Sequence, residues 1–241
     1  MKFMTSAAVA ALLLVSSLDV STRAARHAGL SRLVERSAAG HPNALWHIVH
    51  DLCVTDMKTR GGPAPCSVVD LSGGYAVLKD IRGATQLLVI PTDRVTGVES
   101  PALLAPGAPN YFEDAWRARD LFEKRVGRAV PRVDIGLAVN SMYGRSQNQL
   151  HIHVDCVRPD VRAALAANIG RIGPRWRRLG VPLAGHDYLA RRLDGDDLGA
   201  NNPFKLLAGA DRRTRADMGA ETLAVIAVVT SHGGPGFVLL A

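Results

Sequence analysis

The 241-residue sequence is poor in aromatics, at 5%, and holds 3 cysteines. So few aromatics, with no recognised nucleic-acid motif, argue against a nucleic-acid-binding protein. Three cysteines are too few for a disulfide-dense scaffold, and a chain this long folds without one. No repeat of a solenoid or propeller is visible. No apolar run reaches the length of a spanning helix, which excludes a polytopic membrane protein. Acidic residues are in deficit, 22 against 29 Lys and Arg, and the charge of +7 suggests anionic partners such as phosphates or an acidic membrane face. Hydrophobic residues make up 47% and charged residues 21%, the usage of an ordinary globular chain.

Lys2 is followed by sixteen uncharged residues, from Phe3 to Leu18, and then by Asp19. A basic start before a short apolar run reads as an export signal or a short anchor over residues 1–25. A buried N-terminal helix is the bland alternative. Export places residues 26–241 outside the cytoplasm, periplasmic or at the membrane. Cys53 and Cys66 flank a turn-rich stretch, and an oxidising compartment lets them close a disulfide. Unpaired thiols are the alternative there. Cys156 is left over as a small buried residue.

Apolar spacing predicts a helix over 41–53, its stripe carried by Trp46, Val49 and Cys53 and widened by Leu45, Ile48 and Leu52. Short β-type runs follow at 68–69, 75–78 and 86–90. Asn110 opens a helix to about Val126, with Glu113 completing a capping-box variant. Strands are expected at 133–139 and 149–157, a helix at 160–168, and closing strands at 223–229 and 237–240. Residues 171–192 read as basic and irregular. Without regular βαβ alternation, the fold class is α+β with a largely antiparallel sheet and packed helices, in one domain.

The chemistry concentrates in residues 140–154. Strand alternation puts Gln149, His151 and His153 on one face and Leu150, Ile152 and Val154 on the other. The loop before them carries Asn140, Ser141, Arg145, Ser146, Gln147 and Asn148, and arginine is well suited to gripping phosphate oxygens. Three readings compete for the two histidines. They are hydrogen-bonded structural groups, or two ligands of a metal site that lacks a placed third, or a nucleophile and its helper on phosphorus. Neither His186 nor His232 can be placed as the third ligand. His47 and His50, beside Trp46 on the first helix, fit a structural role. Asp155 shares the His153 face by parity, and whether it orients that ring stays open. Arg171, Arg175, Arg177, Arg178, Arg191 and Arg192 form a basic stretch that suits anionic lipid head groups or simply a solvated face.

Gln149-Leu150-His151-Ile152-His153, behind a polar Gly-containing loop, resembles the histidine-triad (HIT) superfamily with Gln in the first triad place. Residues 77–81 and 88–91 are similar to its other signature, an Asp-Ile pair followed by a strand. The chain resembles CDP-diacylglycerol diphosphatases more closely, through residues 45–53, 65–66, 88–92, 97–101, 140–161, 202–204 and 237–241. The resemblance implies a HIT-like fold and hydrolysis of CDP-diacylglycerol to CMP and phosphatidate without cofactor or metal. It implies that His151 is the nucleophile on the CMP phosphorus, forming a cytidylyl-histidine. His153 then contacts phosphate oxygens or moves a proton. Gln149 can donate through its amide but cannot titrate. Asn140, Arg145 and Gln147 become candidates for phosphate contacts, Asp80 for the nucleoside and Lys79 for phosphate. A HIT-type hydrolase or transferase of soluble nucleotides, and a non-enzymatic exported module holding a metal or anion, remain the alternatives.

Overall fold

The computed structural model describes residues 41–241 and a two-residue strand, β1, at Leu14–Val15. The expected signal or anchor otherwise lies outside the described residues. The first helix is continuous but uneven: α1 (Ala44–His47), a π-helical stretch Ile48–Val54, and α2 (Thr55–Arg60). Gly61, at φ 70, ends it in the left-handed conformation. The helix therefore runs past the expected end at Cys53. Residues of α2 are polar apart from Met57 and none is buried, so no apolar stripe announced them. The wider i→i+5 turn also re-phases the buried face. Val54 turns inward, whereas Leu52 stays 47% exposed and Trp46 half-buried.

The strands are β2 (Val68–Asp70), β3 (Tyr75–Lys79), β4 (Leu87–Pro91), β5 (Ile135–Val139), β6 (Ile152–Val157), β7 (Arg177–Arg178), β8 (Leu189–Asp194), β9 (Leu223–Val229) and β10 (Pro235–Leu240). They form one sheet in the order β2-β3-β4-β6-β5-β9-β10-β8-β7, and β1 pairs with the end of β6. Among the described residues every ladder is antiparallel. The α+β, antiparallel expectation therefore holds. The segment expected to be irregular, 171–192, contains β7 and β8. Leu189-Ala190-Arg191-Arg192-Leu193-Asp194 has no β-branched residue to mark it, and it is recruited by pairing with β10.

The remaining helices are α3 (Tyr111–Arg117), α4 (Arg119–Val126), α5 (Pro159–Asn168), α6 (Pro203–Ala208) and α7 (Arg212–Ala216). The helix expected from 110 to 126 is thus two helices meeting at Ala118. The Asn110 side chain accepts from Glu113 N, as a cap should. The reciprocal half of the capping box is absent, because Glu113 instead accepts from Leu198 N and Arg117 Nε, each at 2.7 Å.

One face of the sheet packs on α3, α4 and α6 through Phe112, Trp116, Phe122 and Phe204, against inward residues such as Val89, Leu137, Ile152 and Phe237. The opposite face is covered in two separate patches. Leu45, Ile48, Val49 and Val54 of the first helix cover Ala76, Leu78, Leu88 and Ile90. Val161 and Leu165 of α5, with Ile172, Leu179 and Leu183, cover Ala138, Ala224, Ile226, Val238 and Leu240. Strand β6 runs between those two patches. On that face His153 pairs with Leu88 on one side and Ala138 on the other, and Asp155 pairs with Gly136. Cross-strand partners share a face, so the two covering layers flank a polar strip made by β6.

Candidate active site

The polar strip begins just before β6. Gln149, Leu150 and His151 precede the ladder, which opens at Ile152, so the expected strand start at 149 moves three residues on. His151 Nδ1 lies 2.7 Å from the Gln149 carbonyl oxygen. A carbonyl only accepts, so Nδ1 carries the proton and Nε2 keeps its lone pair. Burial, then the neighbouring His153, push the His151 ring down to about 4 against the pull of the Gln149 carbonyl. The ring is therefore a neutral base at ordinary pH. His153 sits edge-on to it, with ring centroids 5.1 Å apart.

His153 is held from its other side. Gln86 Nε2 lies 2.9 Å from His153 Nδ1, and Asp80 Oδ2 lies 3.5 Å from the same nitrogen. The amide donates, so Nδ1 accepts and the ring proton resides on Nε2. That Nε2 is buried and has no partner among the described residues. A buried, unpartnered donor is costly unless something else occupies the site. Asp80 is buried, and burial raises its carboxyl. The nearby His153 ring and a bond from the Arg82 amide outweigh that and bring it below the usual value. Asn140 Oδ1 and Ser141 Oγ, at the end of β5, are likewise buried and unpartnered.

Several residues singled out from sequence are engaged elsewhere. Arg145 forms a two-pronged pair with Glu99, Nη1–Oε2 at 2.6 Å and Nη2–Oε1 at 2.7 Å. Gln147 accepts from Leu45 N at 2.9 Å and donates to the His41 carbonyl, so it closes the open end of the first helix. The Gln149 amide is fully buried. It donates to the Pro91 and Asp93 carbonyls and accepts from Val95 N. All three tie the 140–150 loop to the segments beside it rather than presenting free donors to a ligand. Lys79 Nζ donates to the carbonyls of Asp80 and Gly83, within the β3–β4 hairpin.

Asp155 does not orient His153. Its Oδ1 accepts from Cys156 N, and its buried Oδ2 has no partner. Burial lifts this carboxyl to about 7. His47 and His50 bracket Asp51 on the exposed side of the first helix, at 2.6 and 2.8 Å, and His50 stacks on Trp46. His186 lies in a tight turn paired with Leu183. Cys53 and Cys66 form a disulfide, which fastens the first helix to the start of β2. Cys156 is free, half-buried, and raised to about 11 by burial and then by Asp155. Among the described residues no three His, Cys, Asp or Glu groups converge as a metal cage.

Sequence reasoning missed Gln86 and Glu99 as parts of this arrangement. Gln86 shows as a polar residue opening an apolar run, a weak signal. Only the register that sets Leu88 against His153 brings it to the ring.

Residues 40–241 match the CDP-diacylglycerol pyrophosphatase family. The chain belongs to that family. A relative named CDP-diacylglycerol pyrophosphatase, from Yersinia pestis, is 41% identical over 209 residues, which is 87% of this chain and 80% of the relative. The resemblance read from residues 45–53, 140–161 and the flanking pieces therefore stands. Two solved structures are also similar. One is a HIT family hydrolase from Clostridium thermocellum, 19% identical over 45% of this chain and 93% of its own, with TM-score 0.32. The other is a DUF4931 family protein from Bacillus cereus, 10% identical over 73% of this chain and 83% of its own, with TM-score 0.43. Within the family's span lie both histidines, Gln86, Asp80 and the disulfide.

Proposed function

We propose that the protein hydrolyses CDP-diacylglycerol to CMP and phosphatidate through a covalent cytidylyl-histidine on His151. The carrying observation is the His151 ring itself, its Nδ1 bonded to a carbonyl and its Nε2 lone pair retained in a buried, neutral imidazole. Family membership supplies the substrate class.

In this reading His151 Nε2 attacks the CMP phosphorus. An N–P bond forms, and the P–O bond to phosphatidate breaks. Water then attacks the same phosphorus, the N–P bond breaks, and CMP departs with the imidazole regenerated. Charge builds on the phosphoryl oxygens in both steps. His153 Nε2–H is the unengaged donor beside the nucleophile, and it meets that charge. The Gln86 amide holds the His153 ring in the tautomer this requires, and the Asp80 carboxylate lies beside the same ring nitrogen. Asn140 supplies a further buried polar group. Arg145, Gln147 and Gln149 position the loop. Lys79 adds positive charge near the β3–β4 hairpin. Residues 26–241 act as one exported domain working at a membrane, where the lipid substrate resides.

The test is CMP and phosphatidate release from CDP-diacylglycerol in detergent with excess EDTA, by wild type and His151→Ala. Release by wild type that vanishes in the variant, with a trapped acid-labile cytidylyl-histidine, supports the reading. No release by folded wild type overturns it.

A further inference from the structure

The far edge of the sheet carries a surface that the proposed chemistry leaves unused. From Val161 to His186 the sequence contains no Asp or Glu, and it contains five arginines. Arg162 is paired with Asp134. Arg171, Arg175, Arg177 and Arg178 are exposed and have no carboxylate partner among the described residues. Elsewhere Arg60, Arg117, Arg132, Arg145, Arg158 and Arg192 each have one. The four free guanidiniums fall within eight consecutive residues, so their charges add rather than cancel.

The register fixes where Arg177 faces. Arg177 pairs with Ala190, Ala190 with Leu240, Leu240 with Ala224, Ala224 with Ala138, and Ala138 with His153. Directly opposed residues share a face, so Arg177 stands in the same cross-strand row and on the same face as His153. Five strand spacings separate them, about 24 Å. The covering layer between them is α5 with Ile172, Leu179 and Leu183. Ile172 belongs to that layer, whereas Trp176 packs against the core on the other face and Arg177–Arg178 forms the edge strand.

We infer that Arg171, Arg175, Arg177 and Arg178 form a docking ridge for the anionic phospholipid head groups of a bilayer, along the sheet edge, with Arg177 on the face that also bears the histidine strip and Arg178 on the other. The inference rests on the proposed reading for its biological setting, a substrate whose acyl chains sit in that bilayer. The charge argument is independent of it. A ridge of unpaired arginines is attracted to an anionic surface, and the attraction falls off within a Debye length. A single-stranded nucleic acid also attracts arginine, but it needs aromatic faces for its bases. Trp176 is the one aromatic in this stretch. Its indole donates to the Leu206 carbonyl and its ring packs against the core.

The test uses the full chain and co-sedimentation with vesicles of phosphatidylglycerol in phosphatidylcholine, against vesicles of phosphatidylcholine alone. Wild type is expected to bind the anionic vesicles at least tenfold more tightly, an advantage that disappears when the ionic strength is raised tenfold. The variant with all four arginines changed to Ser loses that advantage, and single changes each weaken binding by several-fold. Equal binding to both vesicles by wild type, or an undiminished preference in the fourfold variant, overturns the inference. The single changes decide the matter if the fourfold variant misfolds. Activity in neutral detergent is measured alongside and is unchanged in the fourfold variant. Anionic-vesicle binding without any CMP release would sink the hydrolase reading and leave the ridge standing.

Discussion

His151 keeps one ring nitrogen bonded and the other unshared, and the consequence is visible in pH. An ordinary histidine titrates near ~6.5, whereas burial brings this one to about 4. The nucleophile must be neutral to attack. The acid limb of kcat/KM is therefore expected near pH 4, well below 6.5, and a limb at 6.5 would contradict the buried neutral ring. Gln149 is the companion case. Its amide contacts three backbone groups and no titrating partner. Gln149→Glu replaces the donating nitrogen with an oxygen facing the Pro91 and Asp93 carbonyls. It is expected to cut kcat by tenfold or more and to lower the unfolding free energy by about 2 kcal/mol, measured by steady-state kinetics and urea unfolding.

At the scale of elements, the loop before β6 is tied on three sides. Leu150 N donates to the Val95 carbonyl, Met142 N to the Gly219 carbonyl, and Arg145 grips Glu99. The guanidinium passes over Gly97, where a Cβ would lie 2.0 Å from Arg145 Nη1. Glycine is required here by close approach, not by backbone conformation. Gly97→Ala must dislodge Arg145, and a loss of about 1–3 kcal/mol is expected in urea unfolding. In an Arg145→Ala background, where only the approach of Glu99 Oε2 at 2.7 Å is left to relieve, the same change should cost much less. A double-mutant cycle measures that difference, and simple additivity would refute the clash. The first helix is fastened in a second way, by Cys53–Cys66 across thirteen residues. Changing both cysteines to Ser is expected to cost about 3 kcal/mol in the same assay.

Across the whole molecule, two buried groups oppose each other in their pH dependence. Asp155 titrates at about 7 when folded and near ~3.9 when unfolded. The folded state holds the extra proton, so stability is full below ~3.9 and is lost as pH rises toward 7. His151 has its value depressed from ~6.5 to about 4, so its contribution is present above 6.5 and is lost as pH falls toward 4. Between those limits the two slopes nearly cancel. Asp155→Asn removes one of them. The variant is expected to be more stable than wild type above pH 7, by a few kcal/mol at most, and to lose that gain steadily toward pH 4. Thermal unfolding across pH checks this, and a pH-independent offset would show that Asp155 stays ionised in the fold.

Much of this was legible in the sequence because it depends on local pattern. Periodicity located the first helix, the hairpin of β3 and β4, and the closing strands, since each buries its own stripe. His151 and His153 stood out because the alternation expected over residues 149–157 puts them opposite Ile152 and Val154. Residue type alone did not show that Arg145, Gln147 and Gln149 have partners within the fold. A polar side chain near a phosphate-type motif looks the same whether its partner is a ligand or a backbone carbonyl. The partners Glu99, Leu45, Pro91 and Asp93 lie about fifty to a hundred positions away along the chain. β8 was missed for the opposite reason: its residues carry little strand preference, and pairing with β10 makes it a strand. The sequence by itself determined which residues can do chemistry, because functional groups and their spacing on a strand are local properties. The tertiary structure decided which of them are free to do it, because a donor is available only if no backbone group from a distant segment has already taken it.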